Sequence, residues 1–134
     1  MAIDFGQKRV GVAVTDPLQI IANGLDTVPS AKIWDFLNEY LTKEQVDCFI
    51  VGYPKKLNNE NSESVKFVDP FIKKLKAIYP TIKVELFDER FTSKMAFQAM
   101  IDGGLSKKQR QNKALIDKIS ATIILQNYLD SIRR

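Results

Sequence analysis

The apolar run from Cys48 to Val51 narrows the possible folds of this chain more than any other segment. Side chains alternate between the two faces of a strand, so four consecutive apolar residues make both faces of this segment apolar. Strands of this kind occur in parallel sheets that are covered by helices on both sides. We therefore expect a layered α/β fold in which this strand lies at or near the centre of the sheet.

The segment before this run predicts three consecutive strands. Residues 1–5 and 9–15 have the pattern of a hairpin, because valine alternates with glycine or alanine through the second segment. A third extended segment runs from Ile20 to Val28 and ends before Pro29. These segments predict an antiparallel meander.

Helices and strands are expected to alternate after the meander. Ser30 is expected to cap the first helix, and Pro70 either kinks the second helix or begins a new segment. The expected ranges are a helix at 31–43, helical periodicity from 65 to 75, a strand at 83–87, a helix that follows Thr92 or Ser93 and stops at Gly103, and a last helix at about 112–131. The order βββαβαβα predicts a mixed five-stranded sheet, an antiparallel meander plus two parallel strands, with helices on both faces.

Composition limits the classes of protein that fit. The 134 residues suit one domain covering residues 1–134, and 45% hydrophobic with 27% charged residues is ordinary for a globular chain. No apolar stretch reaches the roughly 18 residues needed to span a bilayer, so we expect a cytoplasmic protein without membrane contact. Cys48 is the only cysteine, which excludes an internal disulfide and a thiolate metal cluster.

Three acidic residues stand among apolar or small neighbours on separate elements. Asp4 follows the first apolar segment, Glu89 follows the last strand, and Asp117 shares a mostly apolar or small face of the last helix. A carboxylate among core residues costs several kcal/mol unless it is paired or holds a cation. Their combination predicts a shared site.

Each acid also has an ordinary structural explanation. Asp4 could form a turn before Gly6, and Asp117 could pair with Lys113 one helical turn earlier. Asp88 and Glu89 are adjacent, and strand alternation lets only one of them face a given side. The other could cap the following helix or pair with Arg90.

The available ligand types favour a hard cation. The chain has no histidine, so carboxylate oxygens would have to hold the metal, and Mg²⁺ or Mn²⁺ is then the expected ion. Two such ions about 4 Å apart would stabilise the attacking and leaving oxygens when water displaces one side of a phosphodiester in line. The predicted reaction is hydrolysis without a covalent enzyme intermediate.

Basic residues close to these acids predict a polyanionic substrate. The net charge is +4, and part of the excess falls in the segment before the last helix, which we expect to be a loop. Lysine and arginine there would hold phosphates while the metal acts on one of them. The candidates for phosphate contacts are Lys8, Arg9, Arg90, Lys107, Lys108, Arg110 and Lys113.

Four segments in order resemble the bacterial YqgF family, also called RuvX, of Holliday junction resolvases with a ribonuclease H-like fold. They are residues 4–13, 51–54, 88–92 and 113–121, and the resemblance spans essentially the whole chain. It implies that Asp4, Glu89 and Asp117 are the metal-binding catalytic acids. It also implies a nuclease that matures the 5′ end of 16S ribosomal RNA precursors, with cleavage of branched DNA as the alternative. A resolvase would act as a two-fold dimer, whereas an end-trimming nuclease could be a monomer.

The sequence departs from the family pattern in one loop. Members usually carry a glycine shortly after the Val-Gly-x-Pro motif, and residues 55–61 here contain none. The shape of that loop is therefore expected to differ.

Two other functions fit parts of the pattern. Asp-x-Gly in a first hairpin also resembles the phosphate-binding turn of the actin and sugar-kinase superfamily, but those proteins hold ATP between two lobes and 134 residues supply one. A nucleic-acid-binding module with structural acids is the other alternative. A melting temperature that added ATP does not raise would exclude the ATP-binding protein, and Mn²⁺-dependent cleavage distinguishes the nuclease from the binding module.

Overall fold

The computed structural model describes residues 1–16, 22–53, 65–88, 98 and 101–132, apart from the side chain of Arg110. The strands are β1 (Ala2–Phe5), β2 (Arg9–Thr15), β3 (Ala22–Pro29), β4 (Cys48–Tyr53) and β5 (Lys83–Asp88). The helices are α1 (Ile33–Lys43), α2 (Val65–Ile78), α3 (Lys107–Arg110) and α4 (Lys113–Ile132), and a single 3₁₀ turn at Ser30–Lys32 precedes α1.

The strands form one mixed sheet in the order β3-β2-β1-β4-β5. β1 pairs with β2 and β2 with β3 in antiparallel fashion, whereas β1 pairs with β4 and β4 with β5 in parallel. The predicted fold class, a meander plus two parallel strands, is confirmed. β4 lies between β1 and β5, as its doubly apolar sequence predicted.

One face of the sheet carries large side chains. Ile3, Val12, Phe49 and Val51 pack there against α1 and α2, to which α1 contributes the fully buried Leu37. The helical spacing of the apolar residues on α1 and α2 gives each helix one apolar stripe for this contact.

The opposite face is covered by α4, and the meander contributes small side chains to it. Ala2, Ala13 and Ala22 from the sheet pack in one core with Ala121 of the helix, and Ser120 is also buried. Large residues of α4, Ile124, Leu125 and Leu129, complete this core further along the helix. Helices therefore cover both faces, as predicted.

The structure settles two predictions about the helix starts and breaks. Ser30 does not cap α1, because its hydroxyl donates a hydrogen bond to the backbone oxygen of Gln7 at 2.7 Å. Pro70 lies inside a continuous α2 and neither ends nor restarts it. Its position is exposed, so the carbonyl that loses its helical partner there can bond water.

The basic segment before the last helix is not a loop. It forms the short helix α3, because the Ser106 side chain accepts from the Gln109 backbone while the Gln109 side chain accepts from the Ser106 backbone. Asn112 then caps α4 by accepting from the Leu115 backbone at 3.2 Å. Most of the helix expected between Thr92 and Gly103 lies outside the described residues, as does the loop at 55–61. None of the described helices is long and apolar enough to cross a membrane.

Candidate active site

Asp4 lies in β1, one residue before the strand ends. Side chains alternate along a strand, and Ala2 packs in the core beneath α4 whereas Ile3 packs in the core on the other face. Asp4 therefore shares the α4 face with Ala2. It is half-buried there.

Gly11 of β2 explains how α4 reaches the same part of the sheet. It is the register partner of Asp4, so the two positions are neighbours on one face. A Cβ atom at Gly11 would lie 2.1 Å from the backbone oxygen of Asp117, so any side chain would push α4 away. The missing side chain lets the helix backbone at Asp117 rest directly on the strand. The backbone at Asp117 therefore lies over Gly11, the strand neighbour of Asp4.

The partner that the structure gives Asp117 is Arg9. Arg9 Nε donates a hydrogen bond to Asp117 Oδ2 at 2.8 Å, and this ion pair joins β2 to α4. The two side chains remain 37% and 26% exposed, so water reaches the pair. The alternative pairing with Lys113 along the helix is not the contact found.

A second contact fixes the start of α4 over the meander. Thr27 of β3 is the register partner of Gly11, and its hydroxyl donates to the backbone oxygen of Ala114 at 2.5 Å. This bond lies one helical turn before Asp117. The start of the helix is thereby bonded to β3 through Ala114 and to β2 through Asp117.

Strand alternation determines the face on which Asp88 lies. Phe87 packs in the core beneath α4, and Val84 packs against the core on the opposite face. Asp88 has the parity of Val84 and lies on the α1 and α2 face, away from Asp4. Glu89, the predicted catalytic acid, lies outside the described residues.

The basic residues predicted to contact phosphate divide by location. Lys8 is exposed beside Arg9 in the β1–β2 turn, while Lys107, Lys108 and Lys113 are exposed on α3 and at the start of α4. The side chain of Arg110 and all of Arg90 lie outside the description.

The carboxylates of Asp4 and Asp117 fit a hard divalent cation. Both would offer carboxylate oxygens from separate elements, which is the donor chemistry that Mg²⁺ and Mn²⁺ accept. Within the described ranges no group of three histidine, cysteine, aspartate or glutamate side chains is placed to hold a metal. A third protein ligand would have to come from elsewhere in the chain.

The other end of the α4 face has different chemistry. Burial raises the pKa of the Cys48 thiol, and a hydrogen bond to Glu85 raises the pKa of Tyr128 to about 12. Lys83 pairs with the same Glu85 carboxylate at 2.6 Å. A cavity of about 410 Å³ opens nearby, lined in part by Leu125 and Cys48, and it includes neither Asp4 nor Asp117.

Sequence reasoning missed two features of the site. It named Arg9 only as a phosphate contact, and it treated Gly11 only as part of a strand pattern. A signal was available, because Arg9, Gly11 and Ala13 are alternate residues of one predicted strand and therefore lie on the same face, the one with small side chains. What the sequence did not supply is the position of α4 along that face.

A family model described as "RuvX: Holliday junction resolvase" matches residues 1–131. The chain belongs to the RuvX family. A RuvX relative from Phocaeicola vulgatus, named "Putative pre-16S rRNA nuclease", is 60% identical over 131 residues, which cover 98% of this chain and 94% of that protein. A relative of the same name from Flavobacterium johnsoniae is 56% identical over 99% of this chain and 96% of its own.

The RuvX chain also shares its fold with a viral protein. A structure titled "Crystal structure of Fowlpox virus resolvase and substrate Holliday junction DNA complex" matches with a TM-score of 0.60. The match covers 98% of this chain and 97% of the viral chain at 15% sequence identity. Such a distant match supports the ribonuclease H-like fold alone.

Proposed function

We propose that this chain is a Mg²⁺- or Mn²⁺-dependent nuclease that hydrolyses phosphodiester bonds in the maturation of the 5′ end of 16S ribosomal RNA precursors. Its membership of the RuvX family supports the nuclease activity. The observation that carries the proposal is the close approach at Gly11, which brings Asp117 beside the register partner of Asp4. The names of the two relatives support the substrate.

The catalytic acids in this proposal are Asp4, Glu89 and Asp117. Asp4 and Asp117 would bind the cation from the sheet and from α4, and Glu89 would complete the ligand set. We prefer Glu89 to Asp88 because the parity of Asp88 directs it to the opposite face. When bound, a divalent ion neutralises charge on the phosphodiester and activates water for in-line attack.

The basic residues would hold the substrate in place. Lys8 and Arg9 would contact phosphates near the acids, and α3 with the start of α4 would extend the contact along the strand. Phosphate contacts of this kind position a nucleic acid without reading its sequence. The remaining proposed contacts are Arg90, Lys107, Lys108, Arg110 and Lys113.

Cleavage of a 16S precursor RNA with a 5′ extension tests the proposal. With Mn²⁺, the wild-type protein should shorten this RNA, whereas Asp4→Asn, Glu89→Gln and Asp117→Asn should each lower the rate by at least about 100-fold, since each removes a ligand charge. Asp88→Asn is the matched control and should stay within about two-fold of wild type. Folding of each variant is checked by urea unfolding.

Either of two results would overturn the assignment. Wild-type protein that cleaves neither RNA nor DNA with Mn²⁺ or Mg²⁺ would favour a binding module. Equal loss in Asp88→Asn and Glu89→Gln would remove the basis for choosing between these acids.

Cleavage of four-way DNA junctions is a second candidate, favoured by the description of the family model. Symmetric cleavage would require two copies related by a two-fold axis, whereas trimming an RNA end requires one. Competition between the precursor RNA and a four-way junction, combined with light scattering, distinguishes them. We expect a monomer that prefers the RNA, and paired symmetric cuts made by a dimer would reverse this order.

A further inference from the structure

The ion pair between Arg9 and Asp117 places a cation on a proposed metal ligand. Arg9 Nε lies 2.8 Å from Asp117 Oδ2, so the guanidinium already bonds an oxygen that a divalent ion would use. A cation and a guanidinium cannot both take the same lone pair of one carboxylate oxygen, and their like charges repel at this range. Arg9 therefore competes with metal binding at Asp117.

The pair is weak enough to be displaced. Both side chains keep contact with water, at 37% and 26% exposure, and exposed ion pairs contribute only about 0.2 to 1 kcal/mol. The Arg9 guanidinium has a second suitable partner, because the planar fork of arginine matches a phosphate as well as it matches a carboxylate. Lys8 beside it already gives this turn a basic character.

We propose that Arg9 is a positioning residue with two alternative partners: it holds the Asp117 carboxylate while no divalent ion is bound, and it moves to a substrate phosphate when the ion binds. This inference rests on the proposed function, because it assumes that Asp117 is a metal ligand. Release of Arg9 by the ion would make nucleic-acid binding and metal binding mutually supportive. By linkage, each would raise the affinity of the other by the same factor.

Titration with MnCl₂ in the absence of nucleic acid tests the first half. Arg9→Gln should bind Mn²⁺ about two- to five-fold more tightly than wild type, since a competing pair of about 0.4 to 1 kcal/mol is removed. Arg9→Lys should stay near wild type because it keeps the positive charge. A merely structural role for Arg9 would leave the Mn²⁺ affinity unchanged or weaken it.

The matched control removes a basic side chain from a different ion pair. Lys43→Gln breaks the exposed pair with Glu39 on α1, where the atoms are 3.5 Å apart, and it should leave Mn²⁺ affinity unchanged. Arg9→Met keeps the apolar stem of the side chain and gives the same readout if the glutamine variant does not fold.

The second half is tested with a single-stranded RNA oligonucleotide in EDTA and in Ca²⁺, scoring only intact RNA on gels. In wild type Ca²⁺ should raise RNA affinity, and in Arg9→Gln that increase should be about two- to five-fold smaller. An equal increase in both proteins would overturn the exchange of partners.

The outcomes separate this inference from the proposed function. Mn²⁺ binding that is lost in Asp117→Asn but not strengthened in Arg9→Gln would overturn the role of Arg9 and leave the nuclease assignment intact. Wild-type protein without Asp117-dependent Mn²⁺ binding would overturn both.

Discussion

The two faces of the sheet differ in side-chain size around β2, where larger residues lie under α1 and α2 and small ones under α4. On the face covered by α1 and α2, Phe49 and Leu37 are fully buried among other large residues. On the face covered by α4, Gly11 and Ala13 line the sheet and Ala121 lines the helix. Apolar residues are buried on both faces, so hydrophobicity alone does not distinguish them.

Size determines what each face can do. Large interlocking side chains bury the most apolar surface and therefore contribute the most stability. Small side chains contribute less stability, but they let the helix backbone come close to the strand backbone. At such short distances the relative position of the two backbones is tightly restricted. The large face stabilises the fold, and the small face sets where Asp117 lies relative to Asp4.

The largest expected effect is a loss of stability on the large face. Phe49→Ala should lower the free energy of unfolding by about 3 to 5 kcal/mol, because it leaves a cavity beside Tyr79 and its neighbours. Urea unfolding measures the loss. Mn²⁺ affinity of the folded protein should stay within about two-fold of wild type, and a parallel loss of affinity would contradict the division between the faces.

The next effect is a loss of position on the small face. Gly11→Ala should cost about 1 to 3 kcal/mol of stability and at least about 10-fold in cleavage rate, because the added carbon meets the helix backbone at Asp117. Unfolding and cleavage assays on the same samples give both values.

Gly24→Ala is the matched control for the close approach. A Cβ atom there would meet Lys118 Cγ at 2.8 Å and Thr122 Oγ1 at 3.0 Å, which are side-chain atoms that can rotate away. Its cleavage rate should fall far less than that of Gly11→Ala. Similar losses in both variants would show that helix position is not what Gly11 controls.

The hydrogen bond between Tyr128 and Glu85, at the far end of the face covered by α4, has a smaller and pH-dependent effect on stability. Tyr128→Phe should cost about 0.5 to 1.5 kcal/mol at neutral pH by removing the hydrogen bond to Glu85. The folded-state pKa of Tyr128 is raised from 10.0 to about 12, so its contribution is full below pH 10 and is lost as pH rises towards 12. Between pH 10 and pH 12 the free energy of unfolding, measured in urea, should fall less steeply with pH in the variant than in wild type. Equal slopes would argue against the bond.

The same link predicts a loss of stability in acid. The folded-state pKa of Glu85 is lowered from 4.5, chiefly by its bond with Lys83. A lowered carboxyl pKa contributes stability above its ordinary value and loses it as pH falls through the folded value. In Glu85→Gln the free energy of unfolding should therefore decline less below pH 4.5 than in wild type. The same decline in both proteins would show that the Lys83–Glu85 pair is not its source.

The smallest effect concerns α3, outside both faces. Lys107→Gln with Lys108→Gln should leave stability unchanged and reduce the salt dependence of single-strand binding by about 0.7 in the log-log slope for each phosphate that the protein no longer neutralises. Filter binding over a range of salt measures the slope. The exposed pair Lys73 and Lys76 on α2 provides a double variant of equal charge, which should bind as wild type does.

The sheet could be predicted from sequence because its signals are local. The alternation in β2 and the doubly apolar β4 each reflect the surroundings of single strands, and turn residues separate them. Helical spacing likewise located α1, α2 and α4 within three residues at each end.

The contacts within the site could not be predicted, because they depend on how distant elements meet. That Asp117 pairs with Arg9 and not Lys113 follows from the position of α4 over Gly11. Ser30 failed as a cap for the same reason, since the Gln7 carbonyl, distant in sequence, takes its hydroxyl. Whether Glu89 joins Asp4 and Asp117 remains a prediction.

The position of Asp117 on α4 also sets when the site can exist. Arg9 and Asp117 are separated by 108 residues of sequence, and everything between them is made before they meet. During synthesis the β1–β2 hairpin emerges before α4, with Arg9 but without Asp117. The ion pair between them forms only when α4 has been made and has docked on the sheet. A nascent chain that ends before α4 therefore lacks this link between helix and sheet.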